Sequence, residues 1–398
     1  MRRDQERIDR IQRAILENNW DALVCTLASN VLLLSGYWPV IGSAVAIFTR
    51  EGAVIVLAPE DEKELAEQGW ADEVRTFEGG SLKNLKTISE SVSDALSEIK
   101  GRLGFHAGAQ IGYEGSPSFD PSSYASNFSY GAAIRSVLGG AFPLVALADA
   151  STCLARLRSV MTARELSLIR RACGIAREAF VATAADIKVG TRESDVAAML
   201  RSNLLRTPAA SDERCDGFAY CMSGPNSAQA YAAFQQTRSR NIEDGDIVLV
   251  HCNSYCGGFW TDITRTFSNG RPGAEKTAIT EAVLEAGRKA ISAVRPGVKT
   301  SAIDHAAREV LGARGYGKAF KHATGHGVGF AAINHNALPQ IHPLSDEILQ
   351  AGMVFNIEPA VYIPGMGGVR QCNMVAVTDD GAELLTGFQN ETRELILR

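Results

Sequence analysis

The segment that most constrains the fold is residues 246–267, DIVLVHCNSYCGGFWTDITRTF, because it reads as two strands joined by a tight turn. Strand-like runs flank Cys256-Gly257-Gly258, a strong hairpin signal. If the turn centres on Cys256-Gly257, His251 faces Asp262, and if it centres on Gly257-Gly258, Asn253 faces Asp262. All three polar side chains share one face in either register, because strand side chains alternate between faces. A metal or a polar substrate would offset their desolvation.

A second segment, KHATGHGVGF at residues 321–330, has glycines at every second position around His326. These glycines argue against a regular helix and let backbone approach closely, as a ligand position needs. Five of the seven histidines lie in or near this segment or in the hairpin: His251, His322, His326, His335 and His342. Such clustering favours a shared site over separate structural roles.

A third segment reads as two strands, Met353–Ile363 and Val369–Val377, joined by a Gly-rich turn. Glu358 and Cys372 then point to the same face. An unpaired carboxylate in the middle of an apolar strand would be costly, so we expect Glu358 to have a partner. Arg370 shares this face, and we expect it to favour a thiolate at Cys372.

The N-terminal part of the chain, residues 1–150, alternates helices and strands and predicts a small α/β domain. Two of its predicted helices are Arg7–Asn18 and Leu82–Ile99. A second part begins with a long helix, predicted over Ala163–Ala184 and opened by a capping box between Thr162 and Glu165. We place the domain boundary near residues 150–160.

Composition and charge narrow the possible partners. The net charge of -5 and the pI near 5.9 argue against a nucleic-acid partner or an anionic membrane. No run of about eighteen apolar residues predicts a membrane span, and the charged N-terminus does not read as a secretory signal. The eight scattered cysteines lack paired zinc-type spacing, and most of them, with the exception of Cys372, read as buried free thiols. A cytoplasmic location is expected.

Four short motifs occur in order: TDITRTF, TGHGVGF, the Asn-Ile-Glu-Pro stretch and GGVR. Together they resemble the signatures of the pita-bread hydrolases of the creatinase, prolidase and aminopeptidase P family, over residues 155–390. DALVCTLASNVLLLSGY is similar, more loosely, to the creatinase N-terminal domain. The resemblance implies an α/β (α+β) fold, with a creatinase-like N-terminal domain at 1–155, a pita-bread catalytic domain at 156–398, and a homodimer.

In that family two Asp, one His and two Glu bind a pair of divalent ions that activate a water. By motif, Asp262 matches the second Asp, His326 the His and Glu358 the first Glu. The first Asp position holds His251, and the second Glu position holds Cys372. Two of the five ligands implied by the resemblance have therefore changed type.

The changed ligands alter the expected metal content. Four carboxylates neutralise two divalent ions, whereas Asp262 and Glu358 alone balance one. The set therefore resembles a mononuclear site for a softer metal such as zinc more than a manganese or cobalt pair. A metal-free pocket, as in creatinase, is the alternative.

Further roles follow from the resemblance. His322 and His335 match two additional active-site histidines, and either could donate a proton to a leaving amine, with Glu358 also catalytic. Arg370 and His322 would orient the substrate or stabilise developing charge. The upstream histidine of the family is missing, since that region offers Tyr231 or Phe234 instead. Tyr231 and Asn253 are the expected substrate-binding residues.

Three functions compete. The first is hydrolysis of a C–N bond in a small peptide or amino-acid derivative, similar to Xaa-Pro peptidases. The second is a metal-independent, creatinase-like hydrolase or lyase acting on a small nitrogenous metabolite. The third is a catalytically inactive binding module, which is disfavoured because a dead pocket has no reason to retain TDITRTF, TGHGVGF and Glu358. A small-molecule or short-peptide substrate is expected in the first two cases.

Overall fold

The computed structural model describes residues 3–79, 82, 85–115, 131–207, 213–231, 236–333 and 337–397. The chain divides into two compact units, Met1–Arg158 and Ser159–Arg398. None of the helices in these described ranges is long and apolar enough to cross a membrane.

The first unit is built on one mixed sheet. Its strands are β1 (Ala22–Cys25), β2 (Val45–Thr49), β3 (Val54–Pro59), β4 (Glu73–Phe77), β5 (Gln110–Tyr113) and β6 (Ala146–Asp149). Their order in the sheet is β4-β3-β2-β1-β5-β6. The helices are α1 (Gln5–Glu17), α2 (Ala28–Ser35), α3 (Lys63–Glu67), α4 (Ile88–Leu103), α5 (Gly131–Ala141) and α6 (Ser151–Ser159), the last ending at the boundary.

Helix α4 begins later than the sequence pattern predicts. The pattern predicts a start at Leu82, but the helix begins at Ile88 because Thr87 caps it. The Thr87 hydroxyl accepts the backbone N–H of Glu90, and the Glu90 carboxylate accepts the backbone N–H of Thr87 at 2.7 Å. This reciprocal pair satisfies two amide groups that the first helical turn leaves free.

The second unit contains four long helices and several small sheets. The helices are α7 (Ala163–Asp186), α8 (Glu193–Arg206), α9 (Ala274–Ala293) and α10 (Thr300–Ala313). The first six strands are β7 (Cys215–Ser223), β8 (Ile247–Cys256), β9 (Phe259–Trp260), β10 (Ile263–Asn269), β11 (Gly325–His326) and β12 (Gln340–Ile341). The remaining strands are β13 (Val354–Ile357), β14 (Ala360–Ile363), β15 (Gly367–Arg370), β16 (Asn373–Val377), β17 (Ala382–Leu384) and β18 (Ile396–Leu397).

The largest sheet of this unit has the order β18-β10-β8-β7, with β9 also paired to β8. Three smaller sheets are formed by β13-β16-β17, β14-β15 and β11-β12. The predicted capping box opens α7, where the Thr162 hydroxyl accepts the Glu165 backbone N–H at 3.2 Å. This prediction is confirmed.

Strand β8 separates two hydrophobic clusters. Leu249 on one face packs in a core that includes residues of α9 and α10. Val250 on the other face packs in a core that includes residues of α7 and α8. By alternation, His251 and Asn253 continue the face of Leu249. This face carries the candidate site.

Candidate active site and metal centre

The β8–β10 hairpin fixes the first half of the site. Its turn lies at Gly257-Gly258, where φ is 58° and 88°, as a two-residue hairpin turn of type I′ requires. Strand β10 pairs Ile263 with Cys252 and Thr264 with His251. Of the two registers considered, this is the second, in which Thr264 rather than Asp262 lies opposite His251.

His251 is buried and already hydrogen-bonded at both ring nitrogens. Arg370 Nη2 lies 3.2 Å from Nδ1, and because a guanidinium can only donate, Nδ1 is the acceptor. Nε2 therefore carries the proton and donates to Asn253 Oδ1 at 3.1 Å. Burial lowers the pKa of His251 to about 4, with Asp262 opposing and Arg370 adding to the shift. The ring is a neutral imidazole, 3.8 Å from Asp262.

Glu358 and Cys372 form the second half of the site. Glu358 lies in the short break between β13 and β14, and Cys372 lies in the break between β15 and β16. β13 pairs with β16 and β14 with β15 in one continuous register. At the break the backbone N–H of Glu358 donates to Thr324 O at 2.8 Å, and that of Cys372 donates to Thr264 O at 3.1 Å. The backbone N–H groups of these two residues thus donate to other segments instead of to the opposite strand, and these hydrogen bonds hold both residues at the site.

The glycines around His326 are required by close backbone packing. A Cβ at Gly325 would lie 1.9 Å from Asn356 O, and one at Gly327 would lie 2.1 Å from Leu338 O. Both distances are far below a contact that any side chain tolerates. The alternating glycines therefore let the His326 loop lie close to β13 on one side and to Leu338 on the other, and this close backbone approach is what their spacing predicted.

The tautomer of His326 follows from its neighbours. Asn356 Oδ1 accepts the backbone N–H of His326 at 2.7 Å, so Nδ2 of that amide is the donor 3.2 Å from His326 Nε2. His326 Nδ1 donates to Gly327 O at 3.1 Å. Its Nε2 therefore accepts from Asn356 Nδ2 and also lies 3.5 Å from Asp262 Oδ2. If His326 binds a metal, it would do so through Nε2.

Asp262, Glu358 and Cys372 form the cluster with metal-ligand character among the described residues. One ligand atom from each lies within 4.8 Å of the others. The predicted ligand His326 approaches this cluster through Asp262, whereas His251 lies beside it with Nδ1 already accepting from Thr264 Oγ1 at 2.8 Å and from Arg370 Nη2.

Two groups of the cluster, the Glu358 carboxyl and the Cys372 thiol, have raised pKa values. Burial and Asp262 raise the pKa of Glu358 to about 7, although Arg370 opposes the shift from 3.9 Å. Burial and both carboxylates also raise the pKa of Cys372 well above its ordinary value. Arg370 does lower the pKa of Cys372, as expected from the sequence, but the other causes outweigh it. The thiol is therefore protonated unless a metal displaces its proton.

Arg370 is held by neutral groups as well as by Glu358. Its Nε donates to Thr264 Oγ1 at 3.1 Å, and its Nη2 donates to the Tyr220 hydroxyl. The Tyr220 ring stacks on His251 with centroids 4.5 Å apart. These contacts fix the guanidinium and the imidazole together as one unit.

Two of the remaining predicted residues, His322 and Tyr231, both contact Tyr362. His322 donates from Nδ1 to Ala323 O at 2.8 Å, so its Nε2 accepts from the Tyr362 hydroxyl at 3.0 Å. The Tyr362 ring contacts that of Tyr231, at 5.5 Å between centroids, and Tyr231 is 38% exposed. His335 lies outside the described residues.

Several residues of the site were not singled out from the sequence. Asn356 orients His326 and donates to Cys372 Sγ at 3.6 Å. Its position in an apolar strand, two residues before Glu358, was the available signal. Tyr220, Thr264 and Tyr362 gave no such signal, because aromatic and Thr residues are ordinary in strands.

Comparisons with known proteins agree with this architecture. The chain matches the models for metallopeptidase family M24 over residues 167–379 and for the creatinase/prolidase N-terminal domain over residues 7–160. It is 30% identical over 387 residues to an Xaa-Pro dipeptidase of Pyrococcus furiosus, covering 97% of this chain and 99% of that protein.

Solved structures give the same result. The prolidase from Pyrococcus horikoshii OT3 superposes with a TM-score of 0.77 at 28% identity, over 96% of this chain and 98% of that one. An Xaa-Pro dipeptidase from Bacillus anthracis shares the fold at a TM-score of 0.79 and 24% identity, over 99% of both chains. The resemblance seen in the sequence is confirmed: this chain is a hydrolase with the pita-bread fold and belongs to metallopeptidase family M24.

Proposed function

We propose that this protein hydrolyses the C–N bond of a short peptide, of the Xaa-Pro dipeptide class, at a centre for one divalent ion. Asp262, His326, Glu358 and Cys372 are the proposed ligands, in a catalytic domain spanning 156–398. The observation that carries the proposal is the approach of the Asp262, Glu358 and Cys372 ligand atoms to within 4.8 Å. The substrate class follows from relatives that are named Xaa-Pro dipeptidases.

The charges at the site fit one divalent ion and do not fit two. Asp262, Glu358 and a Cys372 thiolate carry three negative charges, and the buried Arg370 carries one positive charge. One divalent ion brings the whole group to neutrality. A second would leave two uncompensated positive charges in a buried site, which is strongly unfavourable. His251 adds no charge, and its Nδ1 already accepts from Thr264 and Arg370.

The chemical types of the ligands favour zinc. A thiolate, an imidazole nitrogen and two carboxylates form the mixed set that zinc accepts, whereas manganese prefers oxygen ligands. The Cys372 thiol, whose pKa is raised by burial, would lose its proton on binding, so metal affinity should increase with pH.

The side chains of the site suit peptide hydrolysis near neutral pH. A divalent cation supplies Lewis-acid polarisation of the scissile carbonyl. In the metal-free site burial raises the pKa of Glu358 to about 7, whereas a bound cation would hold this ligand as a carboxylate. Arg370 lies 3.9 Å from Glu358 and can stabilise negative charge that develops on the carbonyl oxygen. Burial lowers the pKa of His322 to about 4, so this residue orients substrate as a neutral ring.

A metal-free, creatinase-like hydrolase is the second candidate, and one contact favours it. The Cys372 thiol donates to Asp262 O at 3.1 Å and is satisfied without a metal. In that case Glu358 alone would activate the water. The two candidates share the cleft but differ in metal content and in substrate.

The test is an assay of protein purified without added metal, with elemental analysis of the same sample. An Xaa-Pro dipeptide, the matched Xaa-Ala dipeptide and creatine are compared before and after chelation and after zinc is restored. We expect one metal per chain, cleavage of the Xaa-Pro dipeptide, loss of activity on chelation and recovery with zinc. Creatine hydrolysis by metal-free protein, without dipeptide cleavage, would overturn the proposal in favour of the second candidate.

A further inference from the structure

Two cysteines face each other across neighbouring strands, away from the candidate active site. Cys215 begins β7 and Cys256 ends β8, and the two are direct partners in the antiparallel register. The flanking pair is hydrogen-bonded, with the Gly257 N–H donating to Arg214 O at 3.1 Å. Because hydrogen-bonded and non-hydrogen-bonded pairs alternate, Cys215 and Cys256 form a non-hydrogen-bonded pair.

The strand geometry suits a covalent link at this pair. Non-hydrogen-bonded partners have Cα atoms roughly 4.5 Å apart with the side chains on the same face. Disulfides span Cα separations of about 4.4–6.8 Å. The typical separation of such a pair therefore falls within the range that a disulfide spans.

The environment gives the two thiols different roles. Cys215 is half-buried, and a hydrogen bond from Cys256 lowers the pKa of its thiol, with Arg171 adding to the shift. Cys256 is buried, and the same interaction raises the pKa of its thiol. Cys256 Sγ lies 3.9 Å from Glu213 Oε2, which can accept its proton.

Cys215 differs in this respect from the other cysteines of the chain, and all eight lie among the described residues. Cys153 is also half-buried, but burial raises the pKa of its thiol. Burial likewise raises the pKa of Cys173, to about 12, and that of Cys221. A thiol that is both reachable and easily deprotonated is the one that reacts first.

We propose that Cys215 and Cys256 are a redox-active dithiol that low-molecular-weight disulfides oxidise to a cross-strand disulfide. The Cys215 thiolate attacks one sulfur of the small disulfide and releases one small thiol, leaving a mixed disulfide on Cys215. Cys256 then gives its proton to Glu213, attacks the Cys215 sulfur and releases the second small thiol. In total two protein thiols are oxidised and one small disulfide is reduced to two thiols.

The link would fix the end of the hairpin whose return strand leads to Asp262. The first residue of β7 and the last residue of β8 would be joined covalently, and no residue of the ligand cluster would be modified. Neither thiol is a proposed metal ligand, so this thiol chemistry does not rest on the proposed peptidase activity.

The test treats the full-length native protein with oxidised glutathione as the probe, followed by non-reducing digestion and mass spectrometry. We expect a peptide linking Cys215 to Cys256 and the loss of two titratable thiols per chain, both reversed by dithiothreitol. A wild-type sample that yields no such linked peptide, or links other cysteines instead, overturns the proposal.

Two variants test the order of reaction. Cys256→Ser should accumulate a glutathione adduct on Cys215, and Cys215→Ser should leave Cys256 unmodified over the same time. Cys153→Ser is the matched control, since that residue is also half-buried, and it should still form the link. An adduct that forms first on Cys256 or Cys153 would contradict the assigned roles. The wild-type mapping does not depend on the folding of any variant.

Discussion

At the scale of single residues, the thiol of Cys372, at a position where the family resemblance implies a carboxylate, has the largest consequences. The residue is fully buried, 3.4 Å from Asp262 Oδ1, and contacted by Asn356. A protonated thiol removes a charge from the site, whereas a thiolate restores that charge and adds a soft ligand. The state of this one atom therefore depends on whether a metal is bound.

Replacing Cys372 by Ser should weaken metal retention by at least about tenfold, because a neutral hydroxyl cannot replace a thiolate ligand. The measurement is the residual metal content after dialysis against graded chelator. Cys173→Ser is the matched control, since Cys173 is equally buried but contacts Met374 instead of the carboxylates. Equal metal content in wild type and the Cys372 variant would remove this residue from the ligand set.

The lowered pKa of His251 predicts how the free energy of unfolding depends on pH. Its folded-state pKa is lowered from 6.5 to about 4, mainly by burial, and the side chain is 4% exposed. Between these two values the unfolded state binds a proton that the folded state does not. The free energy of unfolding should therefore fall by up to about 3 kcal/mol as the pH decreases from 6.5 to 4.

The measurement compares denaturant unfolding of chelated wild-type protein and His251→Asn across this pH range. The variant should lack this component of the pH dependence, so the difference between the two proteins should shrink as the pH falls. Parallel curves would show that His251 is protonated in the folded protein.

Residue-level prediction from the sequence succeeded where strand alternation decides. Alternation alone brings Asp262, His251 and Asn253 to one face, and the same rule places Glu358 with Cys372. It could not choose the hairpin register, because both turn positions contain glycine. Alternation also could not identify Asn356, since the role of its side-chain amide depends on a contact with His326, which is distant in the sequence.

At the scale of elements, a buried carboxylate on α10 holds the loop that carries the histidines. Asp304 Oδ1 accepts from the Thr324 backbone N–H at 3.0 Å and its hydroxyl at 2.7 Å. Arg308 donates to Asp304 and also to His322 O at 2.6 Å. Two residues of the loop are thus bound to α10, His322 through Arg308 and Thr324 through Asp304.

Asp304→Asn should lower the free energy of unfolding by about 2 kcal/mol, because it weakens charge-assisted hydrogen bonds in a buried site. It should also lower kcat more than it raises KM for an Xaa-Pro dipeptide, since the loop positions His322 and His326. Asp346→Asn is the control, as that carboxylate binds Lys299 in an exposed pair. Wild-type stability and kcat in the Asp304 variant would show that the contact positions nothing.

Element boundaries are predictable only where a local signal stands out. The capping box at Thr162 marks the start of α7, whereas the polar residues around Thr87 hide a second capping box, and the predicted α4 begins too early. The bridge between Thr264 and Cys372 joins residues far apart in the chain. No local pattern indicates such a pairing, because it depends on how the hairpins pack.

At the scale of the whole molecule, the order of four motifs was enough to identify the architecture. The matched families cover residues 7–160 and 167–379, and the prolidase structures align with nearly the full chain. The motifs do not determine the metal content, because that depends on the positions where this chain departs from the family. The molecule therefore has the pita-bread fold, and the ligands proposed above carry less negative charge than the family resemblance implies.

Metal stoichiometry in wild type and in the double variant His251→Asp, Cys372→Glu is the measurement that tests the proposed one-metal centre most directly. The double variant restores the carboxylates that the family resemblance implies at both positions. After equilibration with excess zinc or manganese and removal of free ions, wild type should retain one zinc per chain, and the folded double variant should retain two manganese ions. Two metal ions per chain in the wild-type protein would contradict a one-metal centre.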